Sequence, residues 1–438
     1  MSHIRSTNLR GWLITLALAL FMVINFMDKA ILGIVAKSLM EELHISPSEF
    51  GMIASSFFLL FSISAVGFGF VANRVSSKTI LLVLAAIWGI SQFPLAFTAS
   101  VPLLYASRIL LGAGEGPAYP LALHACYKWF PNDRRNLPSA VIFQGVTAGL
   151  LISGPLLTYI VVRWSWHAAF LALGIASLVW MVLWMIVGAE GQVTSDDSKL
   201  TKGEAVSYVP YWTLLTDGTF LGNMALYWTT YWIFSIMFTW TPSYLSTVLN
   251  FGATETGWMF MVFTAFNIPI VLIGSWLSER MLKSGVASAR ARAWLSCGFV
   301  ALGGAFIFLS VYGVEEPLLK VIFLAAGCNF PQITFVLSSA IVGEIVPDSQ
   351  RPSMMSINSA LATTGGLIAP ALMGTFIQSG ATHAVGYDNG FAVAGVLAIV
   401  TAVVGLLIIN PEASRRRFAA RAKPLAAARP DYQAALLK

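Results

Sequence analysis

Trp12-Leu-Ile-Thr-Leu-Ala-Leu-Ala-Leu-Phe-Met-Val-Ile-Asn-Phe-Met-Asp28-Lys29-Ala-Ile-Leu-Gly-Ile-Val-Ala-Lys37 is apolar almost throughout, yet carries two charges side by side in its interior. A helix rises about 1.5 Å per residue, so about 20 apolar residues cross the hydrocarbon of a bilayer. The stretch is long enough to span, and it takes Asp28 and Lys29 in with it. A charge at the centre of a span costs roughly 3 kcal/mol on insertion scales, so intramembrane charges mark ion pathways or tight pairs. A second such stretch, 101–127, carries Arg108 and Glu115. The residues before Trp12 plus this run imitate a signal peptide. The run continues beyond 20 residues, contains Asp28-Lys29 and has no convincing A-x-A cleavage site, so a retained first helix is expected.

The whole chain extends the pattern. Of its 438 residues, 57% are hydrophobic and 11% charged, with a mean hydropathy of +0.76. Soluble domains carry about 25% charge, so this composition excludes a soluble globule. Period-2 runs of barrel strands are absent, which leaves helices as the spanning element because lipid offers the backbone no hydrogen-bond partners. Twelve spans are expected, at 12–37, 50–72, 79–99, 101–127, 137–161, 166–188, 220–246, 256–278, 293–313, 318–345, 353–378 and 388–410. They form an all-α integral membrane protein with an N-terminal six-helix bundle (1–188), a polar cytoplasmic linker (189–219), a second six-helix bundle (220–410) and a basic tail (411–438). Of the 26 Lys and Arg, 21 fall in the segments that are inside if the N-terminus is cytoplasmic, and three (Lys37, Arg163, Lys320) fall outside. That bias predicts both termini in the cytoplasm. The net charge of +6 is therefore a topology signal and gives no reason to invoke nucleic acid, while Arg415-Arg416-Arg417 is expected on anionic headgroups. Cys126, Cys297 and Cys328 have no metal-ligand spacing and read as packing residues.

The two halves resemble each other. Gly69-Phe-Val-Ala-Asn73-Arg74 follows span two and Ser275-Trp-Leu-Ser-Glu279-Arg280 follows span eight, while Gly154-Pro155 in span five is matched by Ala369-Pro370 in span eleven. Parallel six-helix repeats with a site near the midplane are a transporter architecture. Within span four, Arg108 and Glu115 lie two turns apart on one face, with Gly112 between them and Pro117 and Pro120 breaking the helix beyond. Asp28 and Lys29 point about 100° apart, so each needs its own partner. Asp28 is expected to pair with Arg108, leaving Lys29 toward a substrate. Two carboxylates for protons and two cations for an anion suggest a proton-coupled carrier of organic anions. The bland alternative is a set of buried salt bridges that fixes packing. No Ser/His/Asp, His-rich or Cys-rich set points to an enzyme.

Gly69-Phe-Val-Ala-Asn73-Arg74-Val-Ser-Ser-Lys78 resembles the G-x-L-A-D-R-x-G-R-R/K loop of the major facilitator superfamily, with Asn73 where Asp is usual. A closer likeness is to the anion:cation symporter branch, which includes hexuronate, galactonate and phthalate carriers. It rests on Asn25-Phe-Met-Asp28-Lys29-Ala, Arg108-Ile-Leu-Leu-Gly-Ala-Gly-Glu115-Gly-Pro, Trp129-Phe-Pro-Asn-Asp-Arg134-Arg135 and Asn358-Ser-Ala-Leu-Ala-Thr-Thr-Gly-Gly. The resemblance implies that Asp28 and Glu115 carry protons and that Lys29 and Arg108 hold the substrate. It also implies that Gly69, Asn73, Arg74 and Lys78 form a gating loop. Lys29 replaces the more usual Arg, a point charge instead of a bidentate fork.

Further substrate-facing candidates are Phe26, Phe61, Tyr231, Gln144 and Asn358. Sugar-acid carriers of that branch often carry tyrosine at the first two places, so the two Phe tilt the reading toward a less hydroxylated, aromatic acid. Tyr231 belongs to a stripe with Tyr227, Trp228 and Trp232 that walls a cavity or forms an interfacial belt. The amides Gln144, Asn329, Gln332 and Asn358 are hydrogen-bonding candidates, whereas Gln92, Asn267 and His124 read as structural. The expected protein is thus a monomeric bacterial inner-membrane carrier importing a carboxylate by proton symport. It has no cofactor beyond the coupling proton, and its partners are the small organic anion, protons and the lipid bilayer. An anion exchanger and a drug:proton antiporter remain alternatives, and a transporter-like sensor is the reading from outside transport.

Overall fold

Helices in this computed structural model begin where the sequence supplies caps. Ser76, Ser100 and Ser165 accept the N–H groups of Thr79, Leu103 and Ala168, and Glu316 accepts those of Leu318 and Leu319, satisfying donors that the first turn leaves open. The structure describes residues 2–72, 74–98, 100–130, 134–191, 207–347, 350–421 and 423–424. Asn73, linker residues 192–206 and the tail from 425 lie outside the described residues.

The helices are α1 (Ser2–Leu43), α2 (Pro47–Val71), α3 (Ser77–Gln92), α4 (Val101–Glu115), α5 (Ala118–Tyr127), α6 (Asn136–Arg163), α7 (Trp166–Val187), α8 (Tyr211–Leu215) and α9 (Gly218–Thr247). They continue with α10 (Ala253–Ala265), α11 (Asn267–Lys283), α12 (Leu295–Phe308), α13 (Pro317–Asn329), α14 (Thr334–Ile345), α15 (Arg351–Ser379), α16 (His383–Ile408) and α17 (Pro411–Arg421). Among the described residues, 10 helical stretches are long and apolar enough to cross a membrane. Two expected spans, 101–127 and 220–246, are not among them. The first is broken at Gly116-Pro117 into α4 and α5. The second is one continuous helix, α9, but is rich in hydroxyls and amides such as Asn223, Thr229, Thr230, Thr239 and Thr241. Span 318–345 is also interrupted, at a 3-10 turn Phe330–Ile333 around Pro331.

The chain divides into two compact units. The first comprises Met1–Asp196, Ser235–Ala265 and Gly366–Gly390; the second comprises Asp197–Phe234, Phe266–Gly365 and Phe391–Lys438. The core of the first is aromatic. Phe21 stacks on Trp88 with centroids 4.2 Å apart and leans on Trp180 at 4.5 Å, while Trp180 Nε1 donates to the Ala17 carbonyl at 2.7 Å. Two glycine pairs set the helix spacing. A Cβ on Gly112 or Gly116 would strike the carbonyl oxygens of Phe57 and Phe61 on α2, and one on Gly145 would strike that of Ala19 on α1. A Cβ on Gly149 would lie 2.6 Å from the Val23 oxygen. Both pairs are four residues apart and meet carbonyls four residues apart, the small-xxx-small packing that lets backbones touch in lipid.

The second unit is held at one end by polar contacts. Ser414 Oγ donates to Asp217 Oδ1 at 2.7 Å, Arg417 reaches Asp217 at 3.3 Å, and the Ala289 N–H donates to Glu412. A two-residue antiparallel ladder joins Ser207–Tyr208 to Lys423–Pro424, and the Gln350 amide exchanges two 2.8 Å hydrogen bonds with the Val209 backbone. Arg415 and Arg416 stay exposed, while Arg417 is engaged by Asp217. Deeper in this unit, Arg292 pairs with Glu344 at 2.6 Å.

Candidate functional site

Three helices of the first unit converge on the intramembrane charges. α1 brings Asn25, Asp28 and Lys29, with Asn25 one turn before Lys29 on the same face. α3 ends on Gln92, where the chain enters a 3-10 turn through Pro94. α4 brings Arg108 and Glu115, and it is tied to the end of α3 by a 2.7 Å hydrogen bond from Ser107 Oγ to the Ser91 carbonyl. Asp28, Gln92, Arg108 and Glu115 are all buried.

The pairing differs from the expected one. Lys29 Nζ forms an ion pair with Glu115 and donates to Asn25 Oδ1 at 2.6 Å. Asp28 does not pair with Arg108; its Oδ1 accepts from Gln92 Nε2 at 2.8 Å. A neutral amide occupies the place assigned to the guanidinium, because the end of α3 inserts against Asp28. The flexible lysine stem, turned away from Asp28, reaches the second carboxylate. Arg108 lies with its guanidinium carbon 5.8 Å from the Phe170 ring centre, and its Nε and Nη2 are buried without a protein partner. Asn25 Nδ2, Asp28 Oδ2, Gln92 Oε1 and Glu115 Oε1 are likewise buried without one. An unmet buried polar atom costs about 1–3 kcal/mol, so a cluster of them points to a place that exchanges protons or ligands. The four charges balance, two positive and two negative.

Lys29 also sits among aromatic rings. Its Nζ lies 4.4 Å from the Phe26 centroid and 5.9 Å from that of Phe61, and Phe61 packs tilted against Phe57 and Phe58. Gln144 lies on an exposed face of α6. In the second unit, Tyr231 packs 5.2 Å from Tyr227 and from Phe335 and is hydrogen-bonded to Ser359. Asn358 and Asn223 both donate to Ser338 Oγ, at 3.0 and 2.9 Å. Gln332 links Asn267 and Asn329 at 2.7 and 2.9 Å. These contacts join neutral amides, hydroxyls and rings.

Of the expected gating loop, Gly69 lies in the last turns of α2, Arg74 is exposed, and Asn73 is outside the described residues. Lys78 is anchored: its N–H donates to Glu190 Oε1 at 2.8 Å and its Nζ to the Met185 carbonyl at 3.0 Å. Glu190 also pairs with Lys128 at 2.6 Å. Burial pushes the Glu190 carboxyl up, but the hydrogen bonds from Lys128 and the Lys78 N–H pull it below its ordinary value. Its contribution is therefore present at neutral pH and fades as pH falls through the carboxylate range.

Gln92 is the site residue that sequence reading assigned to structure. Its signal was thin: an amide at the end of an apolar helix, just before Phe93-Pro94. Gln92→Leu strands Asp28 Oδ1 and is expected to cost about 1–2 kcal/mol. A thermal-unfolding double-mutant cycle with Asp28→Asn checks it; additive losses would show that the two side chains are uncoupled.

A family model described as Major Facilitator Superfamily matches residues 18–331 and 330–437. Among curated relatives, the hexuronate transporter of Bacillus subtilis (strain 168) is 26% identical over 399 residues, covering 89% of this chain and 92% of the relative. The probable sulfoacetate transporter of Cupriavidus necator is 25% identical over 412 residues, covering 90% and 92%. Among solved structures, a bacterial homolog to the human lysosomal transporter Spinster, inward-facing and unoccupied, superposes with a TM-score of 0.75 at 14% identity, covering 93% of this chain and 98% of that one. That likeness concerns the fold.

Proposed function

We propose that this chain, which belongs to the Major Facilitator Superfamily and is a transporter and not an enzyme, imports an organic anion by proton symport with alternating access. In this reading twelve spans form two six-helix repeats with both termini cytoplasmic, in a bacterial inner membrane. Relatives named for hexuronate and sulfoacetate support an anionic substrate. The observation that carries the reading is the buried Lys29–Glu115 pair beside an Asp28 held by a neutral amide.

Glu115 acts as an internal stand-in for the substrate's carboxylate. While it is ionised, Lys29 is satisfied and has little call for an anion. A proton arriving on Glu115 removes that charge and leaves a buried cation uncompensated, a state costing several kcal/mol. The anion's carboxylate takes the vacated partner's role, so proton and anion enter together and the cluster stays neutral. Release of the proton on the alkaline side lets Glu115 reclaim Lys29 and expel the anion. Asp28, with Oδ2 open, is the second proton carrier, and Arg108 supplies the field that holds the anion's charge.

The test uses purified protein in liposomes containing a pH dye, with monocarboxylates, aromatic acids, sugar acids and dicarboxylates added outside and protein-free liposomes as the leak control. Protein-dependent internal acidification with one class supports symport. Labelled exchange without acidification points to an anion exchanger, and silence in both removes transport from this site.

A further inference from the structure

The hairpin joining α11 to α12 carries a mirror-image pattern. Trp276 and Arg280 stand four residues apart on the way to the turn, and Arg290 and Trp294 stand four apart on the way back. Gly285, at φ +83°, reverses the chain between them, and a π-helical turn, Ala289–Trp294, opens α12. We infer that this hairpin docks anionic phospholipids: Arg280 and Arg290 receive the phosphate, Trp276 and Trp294 lie at the level of the glycerol esters, and the acyl chains cover the exposed apolar residues beyond them. Such docking is independent of which solute the chain carries.

Both arms belong to helical stretches apolar enough to cross a membrane. Leu272, Ile273 and Trp276 are exposed on one arm, Trp294 and Leu302 on the other. Exposed apolar residues of a spanning helix have acyl chains for solvent. Four residues of helix rise about 6 Å, so in each arm the indole sits at the edge of the hydrocarbon and the guanidinium at headgroup depth. Three features set this hairpin apart from an ordinary aromatic belt. Each guanidinium is held over its own indole, its carbon 5.2 Å from the Trp276 ring centre for Arg280 and 5.6 Å from that of Trp294 for Arg290. A guanidinium so held keeps N–H donors that fork onto a phosphate. The neighbouring carboxylates are taken by other cations: Glu279 pairs with Lys283 at 2.5 Å and Glu344 with Arg292 at 2.6 Å, and among the described residues Arg280 and Arg290 have no acidic partner. Finally, Trp180, Trp184 and Trp240 each donate their indole N–H to a backbone carbonyl, whereas those of Trp276 and Trp294 have no partner among the described residues and suit an ester carbonyl. Water or a free phosphate satisfies the guanidiniums but leaves the indoles and aliphatic side chains uncovered. A phospholipid with a negative headgroup satisfies both.

Binding of phosphatidylglycerol and of phosphatidylcholine to the purified full-length chain in a neutral detergent is measured by native mass spectrometry, with inorganic phosphate as competitor. The expected result is a preference for phosphatidylglycerol that falls about fivefold in Arg280→Gln or Arg290→Gln and about twenty-five-fold in the double variant, the factor set by one basic residue at an anionic surface. Arg280→Lys/Arg290→Lys keeps the charge but loses the fork, and recovers only part of the preference. Arg415→Gln/Arg416→Gln removes two exposed charges of α17 and leaves most of it in place. The single variants report the same trend should the double variant fold poorly. Equal binding of the two lipids by the wild-type chain overturns the inference. So does an equal loss in Arg415→Gln/Arg416→Gln, which would mean a diffuse field in place of a site. Displacement of the lipid by inorganic phosphate at matching concentration overturns lipid docking in favour of a bare anion site.

Discussion

Glu115→Gln is expected to abolish uphill accumulation of the anion driven by a pH gradient, to the level of protein-free liposomes, while downhill exchange of labelled anion persists. The amide keeps the shape and hydrogen-bonding reach of the carboxyl but cannot bind or release a proton. Lys29 then has no anionic partner in the protein, so the anion binds at least as tightly as in the wild-type chain and its affinity becomes less sensitive to pH. The reverse deletion behaves differently. Lys29→Ala leaves the fully buried Glu115 without its cation and is expected to cost about 3–5 kcal/mol of stability, the usual penalty for breaking a buried pair from one side. Combining Lys29→Ala with Glu115→Gln removes both charges and recovers much of that loss, but not transport. Thermal unfolding of the three variants separates stability from function. Accumulation surviving in Glu115→Gln would move proton coupling to Asp28 alone.

The second large effect lies in the scaffold. Gly112→Ala places a Cβ into the Phe57 carbonyl oxygen, a backbone atom that cannot swing aside. α2 and α4 must separate, at about 1–3 kcal/mol for the small residue and more for Gly112→Leu. The damage reaches the site, since Arg108 and Glu115 lie one turn either side of the contact and Phe61 is one turn further along α2. Gly298→Ala is the control: a Cβ there meets nothing within 4 Å. Expression and melting temperature should fall for Gly112→Ala and hold for Gly298→Ala. Equal behaviour of the two would mean that close α2–α4 approach is unimportant.

The four charges of α1 and α4 were legible because charge in an apolar run is rare and costly, and their joint burial in one cluster follows from the same cost. Their partners were not legible. Which cation meets which carboxylate depends on where a third helix ends, and nothing in the spacing of α1 and α4 announces that Gln92 on α3 will take Asp28. The break at Gly116-Pro117 could be read from a missing backbone donor and a missing side chain. The contrary case is α9: a span is expected at 220–246 and the structure has one continuous helix of 30 residues there, but its hydroxyls and amides keep it out of the helical stretches that are apolar enough to cross a membrane. Tyr231 was chosen from its aromatic stripe and Asn358 by resemblance. The structure places both in neutral hydrogen-bonded networks of the second unit, where their tie to a substrate is a proposal.

For anyone shortening or tagging this chain, the region after α16 is not a dispensable extension. Asp217 is buried, and it relies on Ser414 and Arg417 for two of its partners, with the Thr219 N–H at 2.9 Å as the third. Truncation at Asn410 strips that carboxylate of its cation and unclips the segment leading into α9 from the ladder at Lys423–Pro424. An affinity handle therefore belongs beyond Pro424, and a purification scheme that cleaves nearer the membrane will yield a less stable protein with its helices otherwise untouched.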